Sequence, residues 1–294
     1  MAEQKIEFRK TRDFSENLND TFQFIRLNFK PLLSSFFAIC AIFMLSQSIM
    51  EGMYRSQFAS FYSKLFRGVR SGSVYNGGVF GTQYFSAILL TMLSYVSMQV
   101  AIGAYIKFYV ENDGRKPGIE EVWEIFKKYF FRVLLFSLPM GISIVLGAMF
   151  CLVPGVYLWV VLVPYSMVIM IEDTSFSETY YRCFNLVKDR FWMSFGIYFV
   201  VILIYYISSY VIGLMVSAIF GLGAYLTTKD LGITIGVVTS FFSIFLLSFY
   251  IIVAVSVAFQ YFNLAEIKDG KGILQRISNL GSNDDDNNSI EEQY

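Results

Sequence analysis

The sequence predicts an all-α polytopic membrane protein: six transmembrane helices plus short interfacial amphipathic helices. Three observations predict this. Only 16% of the 294 residues are charged and 55% are hydrophobic, whereas a soluble domain carries about 25% charge. The deficit is concentrated in windows free of Asp, Glu, Lys and Arg, at 31–50, 71–106, 133–171, 191–228 and 231–265. Each reaches the length of about 20 residues that a helix needs to cross a hydrocarbon core of about 30 Å. Finally, the apolar–polar alternation of a membrane β-strand is absent.

Residues 1–30 are polar and form an N-terminal segment. Within it Leu18, Phe22, Ile25 and Phe29 recur at helical spacing, which predicts an interfacial helix. No short apolar core with a cleavage site precedes the first apolar run, so the first span is expected to act as its own insertion signal. That span covers about 31–50. In the loop 51–83, Tyr54, Phe58, Phe61, Tyr62, Leu65 and Phe66 line one face, with Arg55, Lys64, Arg67 and Arg70 beside them. This pattern predicts a helix lying on the outer surface of the bilayer. It serves as an interfacial connector, or as a lid or partner-docking element. A Gly-rich turn follows, then a second span at about 84–108.

The window 133–171 is too long for one crossing; as a single helix it would measure about 58 Å. Pro154 lacks an N–H and restricts the residue before it, so a helix is expected to end at Val153, with Gly155 in the turn. The window divides into spans at about 132–151 and 156–171. Pro164 should kink the second, and Glu172 and Asp173 mark its exit into water. One long span follows at about 193–219 and a sixth at about 233–260. The membrane domain is thus 31–262. The tail 263–294 returns to water, and after about 280 its acidic, polar composition predicts disorder. Cys40, Cys151 and Cys183 lie in separate segments and read as buried apolar side chains.

Six spans put both termini on one side. That side holds 18 Lys and Arg residues and the other holds five, which places both termini in the cytoplasm. Three stretches at this face are alike: IRLNFKPLL from Ile25, FKKYFFRVL from Phe126 and VKDRFWMSF from Val187. Each has a basic residue, two variable positions, a Phe, then an apolar run. Each follows an amphipathic stretch and an acid (Glu16, Glu120–Glu121 or Glu178). Two readings stand: three repeated units of an interfacial helix plus a helix hairpin, or the aromatic and basic border that any inward-to-outward span carries.

The chain has no histidine, which removes imidazole metal sites and His-based catalytic couples. No P-loop or dinucleotide fingerprint is present. The span interiors carry no charge of the kind ion-coupled transporters keep at mid-membrane. Gln47, Gln99 and Gln260 are the polar residues left there, each explicable as an interhelical hydrogen bond. No catalytic, cofactor or metal residue is nominated. The structural candidates are Pro154, Gly155, Pro164, Glu172, Lys188, Phe191 and Trp192.

These residues carry a resemblance. A Pro-Gly turn (Pro154–Gly155), a span, an acid (Glu172), a short helix over Ser177–Leu186, then Lys188-x-x-Phe191-Trp192 resembles a group of bacterial multi-span proteins. The group includes the membrane domain of some glycerophosphodiester phosphodiesterases. The likeness covers roughly 150–200 and otherwise only the span layout; the phosphodiesterase catalytic domain is absent. The resemblance implies a fold rather than an activity. The expectation is a non-enzymatic bacterial inner-membrane protein, a scaffold or accessory subunit, binding membrane lipids and a membrane-protein partner, without cofactor or nucleic acid. The alternative is a transporter or lipid-handling protein with a site between the helices; a cavity reaching mid-membrane would favour it, and a tightly filled bundle the scaffold.

Overall fold

The computed structural model describes residues 6–66, 81–228 and 242–270. The Gly-rich turn and the acidic tail lie outside them. Among the described residues every regular element is helical: α1 (Phe14–Leu27), α2 (Phe29–Phe66), α3 (Thr82–Glu111), α4 (Ile119–Phe150), α5 (Leu152–Leu162), α6 (Tyr165–Glu172), α7 (Phe176–Val187), a 3-10 turn (Lys188–Arg190), α8 (Phe191–Thr228) and α9 (Tyr250–Asp269). Six helical stretches are long and apolar enough to cross a membrane: Phe29–Tyr54, Thr82–Glu111, Ile119–Phe150, Leu152–Glu172, Phe176–Val216 and Phe242–Asp269. The chain is an all-α polytopic membrane protein.

The spans differ in how they are shared between protein and lipid. The second, fourth and sixth bury 39, 56 and 50% of their most apolar windows, whereas the third and fifth bury only 11%. The even spans α3, α6 and α9 pack on one another and form the centre. The first span, 44% buried, is the exception among the odd ones, because both α3 and α4 pack on it.

The threefold pattern recurs in the geometry. Each unit starts with a glutamate that accepts the N–H of the helix-capping residue three positions earlier: Asp13 N–H to Glu16 (3.1 Å), Gly118 to Glu121 (2.8 Å) and Ser175 to Glu178 (2.8 Å). This is one half of a capping box. Thirteen residues separate Asp13 from Arg26 and Ser175 from Lys188, and both units then launch helices of 38 residues, α2 and α8. In the middle unit only nine residues separate Gly118 from Lys127. It is about one helical turn shorter.

The units close into a ring. The helices α1, α7 and the first half of α4 share one face of the bundle with the end of α9; we call it the anchor face. There α1 rests on α8 and α9 of the third unit, α4 on α2 and α3 of the first, and α7 on α5 and α6 of the second. Side chains show the same contacts: Phe130 on Phe43 (5.4 Å), Lys107 over Tyr129 (5.5 Å) and Phe184 on Tyr157 (6.1 Å). Each anchor helix thus leans on the hairpin of the unit before it.

Several expectations are corrected. The turn between the third and fourth spans is at Cys151, extended at φ −167° and ψ 149°, rather than at Pro154–Gly155. Pro154 sits in the first turn of α5, where its missing N–H costs no hydrogen bond because the first four N–H groups lack partners anyway. Gly155 serves close packing: a Cβ there would stand 2.7 Å from Cα and Cβ of Ala148. Cys151 is exposed, while Cys40 and Cys183 are buried. The expected surface helix within 51–83 is continuous with the first span as far as Phe66, because no proline interrupts it. In the middle unit the interfacial helix and the span are one helix, Ile119–Phe150. The sixth span continues to Asp269 and is capped by Gly270 at φ +61°.

Candidate functional site

Pro164 splits the fourth span. α5 ends at Leu162 and α6 begins at Tyr165, because Pro164 has no N–H to return to the carbonyl of Val160. Opposite it, α4 carries Pro139 inside the helix, followed by Gly141. Between these two disturbances lies a cavity of about 520 Å³, walled by α3, α4, α5, α6, α8 and α9. That lies within the range of about 300–1,000 Å³ of ligand pockets.

Its depth follows from helix rise. Tyr165 is seven residues from Glu172 at the end of α6, and Tyr198 and Tyr205 are seven and fourteen residues beyond Phe191 at the start of α8. At about 1.5 Å per residue these three side chains stand about 10 to 21 Å from the anchor face, and Tyr250, nineteen residues before Asp269, carries the wall to about 28 Å. The cavity therefore crosses the middle of a bilayer core about 30 Å thick.

The lining is aromatic and uncharged, with six tyrosines (Tyr95, Tyr165, Tyr198, Tyr205, Tyr206 and Tyr250), Trp159, Gln99 and Ser137 among apolar side chains. Gln99 donates through Nε2 to the Tyr250 hydroxyl at 2.9 Å, joining α3 to α9. The ring of Tyr250 meets Tyr95 edge-on at 5.2 Å and Tyr205 at 6.1 Å. Two buried polar atoms on this wall have no hydrogen-bond partner among the described residues: Gln99 Oε1 and the Tyr198 hydroxyl. Tyr198 is only 2% exposed. Tyr206, 63% exposed, is the lining residue most open to the outside, on the span that buries only 11% of its most apolar window.

Below the cavity the anchor face is locked by polar contacts. Arg182 on α7 donates through Nε to both oxygens of Glu172 on α6, at 3.0 and 2.9 Å, and through its terminal nitrogens to Asp269 on α9. The Tyr261 hydroxyl adds a bond to Glu172 at 2.8 Å. Arg132 pairs with Asp173, which holds a left-handed conformation at φ +52°, and Lys268 pairs with Asp189. At a second junction Gln260 of α9 accepts from Asn17 of α1 at 3.1 Å and donates to Ser194 of α8 at 2.9 Å.

The N-terminal residues before α1 fold into this face as a hook. Phe8 stacks on Phe259 at 4.4 Å and meets Phe24, Tyr109 and Phe262 edge-on. Arg12, 4% exposed, donates to Asp20 at 2.7 Å and to the Phe8 carbonyl at 2.8 Å, and lies over the Phe259 ring. At the start of α1 the Asp13 N–H, and after it the charge of Lys10, hold the Glu16 carboxyl below the ordinary carboxylate range.

The candidates from the sequence fall around this architecture. Pro164 shapes the cavity wall; Gly155 and Pro154 build the hairpin beside it; Glu172 belongs to the Arg182 lock. Phe191 packs on Tyr157 at 5.3 Å and Phe195 at 6.2 Å. Lys188 is exposed in the 3-10 turn, and Trp192, 80% exposed, faces outward at belt level. Gln99 and Gln260 make the expected interhelical bonds, whereas Gln47 Oε1 finds no partner among the described residues. The tyrosine wall and the hook were not legible as a site. The available signal was spacing: Tyr95 with Gln99, and Tyr198 with Tyr205, share helix faces at i,i+4 and i,i+7. Among the described residues no group of acids and cysteines could hold a metal.

No family model, no curated protein and no solved structure matches this chain.

Proposed function

We propose that this integral membrane protein is a non-enzymatic lipid-handling protein that holds a lipid-like guest between its helices. One observation supports this above the others: the cavity of about 520 Å³ at mid-membrane depth, whose lining includes the exposed Tyr206. A guest there exchanges with the bilayer rather than with water. The uncharged lining disfavours a charged solute, because an ion at this depth costs several kcal/mol or about 2.5–3.5 kcal/mol on insertion scales. The scaffold reading stands second, favoured by the third and fifth spans, which leave most of their apolar surface uncovered. We also propose that the chain shares its span layout with the membrane domain of some glycerophosphodiester phosphodiesterases, supported by the order Pro154–Gly155, Glu172, Lys188 and Phe191–Trp192.

Native mass spectrometry after gentle extraction tests this. The expected result is a stoichiometric lipid adduct on the unmodified chain that is lost in Gly141→Phe. Gly141 lines the cavity and a Cβ there meets nothing within 4 Å, so the ring can fill the space without breaking the bundle. A stoichiometric protein partner with no lipid adduct would sink the reading in favour of the scaffold.

We further propose a bacterial inner-membrane location with the anchor face in the cytoplasm, supported by the basic excess there. Cys151 then lies on the opposite side. A membrane-impermeant maleimide added to intact cells should modify Cys151 and leave the buried Cys40 and Cys183 untouched. Modification only after the membrane is opened would reverse the orientation.

A further inference from the structure

The anchor face sorts its basic residues into two sets. Arg12, Lys107, Arg115, Arg132, Arg182 and Lys268 each pair with an acid. Arg26, Lys127 and Lys188 are exposed and make no salt bridge among the described residues. These three are the basic positions of the threefold pattern, one in each unit.

Their surroundings match as well. Each cation has an exposed aromatic side chain before it and another after it. In the first unit Phe22 lies four residues before Arg26 and Phe29 three after it. In the middle unit Trp123 lies four before Lys127 and Phe131 four after, and the Lys127 ammonium stands 6.0 Å from the Trp123 ring centroid. In the third unit Tyr181 lies seven before Lys188 and Trp192 four after. At these spacings a helical path returns to the same face. The six rings are between 42 and 80% exposed, so the bundle does not hold them.

Position selects the partner. Phe29 and Phe191 start α2 and α8, and in the middle unit the anchor helix and the span are one helix, α4. All three helices carry spans. The triads therefore stand where three spans enter the bilayer, at headgroup depth. An unpaired cation there meets phosphate oxygens, and a ring beside it meets the glycerol and upper acyl region. A soluble anion would satisfy the cation but leave both rings in water. A zwitterionic lipid brings its own cation, which offsets the attraction.

We propose that each unit carries a headgroup site for an anionic phospholipid, with Arg26, Lys127 or Lys188 donating to its phosphate and the two flanking rings packing on the lipid. The assignment is independent of the cavity and its guest.

Trp123 and Trp192 belong to the middle and third triads and report on them directly. Two full-length chains each keep one of these tryptophans, with phenylalanine at the other and at Trp159. They are placed in vesicles of equal parts phosphatidylglycerol and phosphatidylcholine, with bromine near the top of the acyl chains of one lipid or the other. Quenching should show an affinity for phosphatidylglycerol about fivefold above that for phosphatidylcholine, equivalent to the attraction of about 1 kcal/mol per basic residue at an anionic surface. Lys127→Gln should remove the preference at Trp123 and leave it at Trp192. Lys188→Gln together with Arg190→Gln, its exposed neighbour, should do the reverse. None of the three residues holds a salt bridge among the described residues, so the bundle should persist in both variants. Equal quenching by the two lipids on the parent chains would overturn the proposal. So would a loss at both tryptophans from either variant, since that would reflect only the overall charge of the face. Loss of the preference in millimolar inorganic phosphate at constant ionic strength would assign the cations to a soluble anion instead.

Discussion

Arg182→Leu is expected to destabilise the protein by about 2 kcal/mol, between the values for surface and fully buried ion pairs. Arg182 on α7 ties α6 and α9 together through Glu172 and Asp269. Its side chain is 18% exposed, and those of Glu172 and Asp269 are 18% and 21% exposed. Removing it leaves two carboxylates, largely withdrawn from water, facing each other across the same gap. Tyr261 still donates to Glu172 but cannot neutralise it. Unfolding by SDS in mixed micelles measures the loss. The decisive comparison is Arg182→Leu in a Glu172→Gln, Asp269→Asn background, where no charge is stranded. The cost there should fall to about 1 kcal/mol or less, because coupled residues are not additive. Equal costs in both backgrounds would show that Arg182 acts through packing alone.

Gly155→Ala should cost about 2–3 kcal/mol, the upper part of the range for overpacking. The added methyl would lie 2.7 Å from Cα and Cβ of Ala148 and 2.8 Å from its backbone nitrogen. A backbone cannot turn aside as a flexible side chain can. At Gly103, by contrast, the obstructing atoms are the ends of Met170 and Met167, so Gly103→Ala should cost less. Gly141→Ala, with nothing within 4 Å, should be neutral. This ranking separates the third-to-fourth-span contact from a general intolerance of alanine. In a bilayer, where lipid is as apolar as the helices, close backbone approach at small residues carries much of the association. A Gly155→Ala chain as stable as the parent in the same SDS titration would remove that role.

The number of spans was legible because the bilayer imposes a length on every apolar run, and the five charge-free windows obey it. The threefold units were legible only as a resemblance between short stretches. The three glutamate caps turn that resemblance into matching geometry, with Glu16, Glu121 and Glu178 in the same place at the start of each anchor helix. The hairpin turn was misplaced by a few residues because proline is ambiguous: it ends a helix when it follows, and starts one when it falls in the first turn. Pro154 does the second and Pro164 the first. Cys151, which carries the actual turn, has no local signature.

The candidate site was almost wholly hidden. Gln99 stood out as a polar residue inside a span, but Tyr95, Tyr198, Tyr205 and Tyr250 lie on three helices far apart in sequence. A cavity is a property of what fails to fill a space, and that depends on relative helix positions. The same holds for the hook: nothing in Phe8 or Arg12 by itself predicts burial against Phe259.

By itself the sequence determined the all-α membrane class and the six spans. Hydropathy, charge and composition act locally, so they can be read residue by residue. The tertiary structure alone decided which spans are central, how the three units lean on one another, and where a cavity opens. Those outcomes depend on contacts such as Gly155 with Ala148 and Arg182 with Glu172 and Asp269. Their energies exist only once distant segments meet.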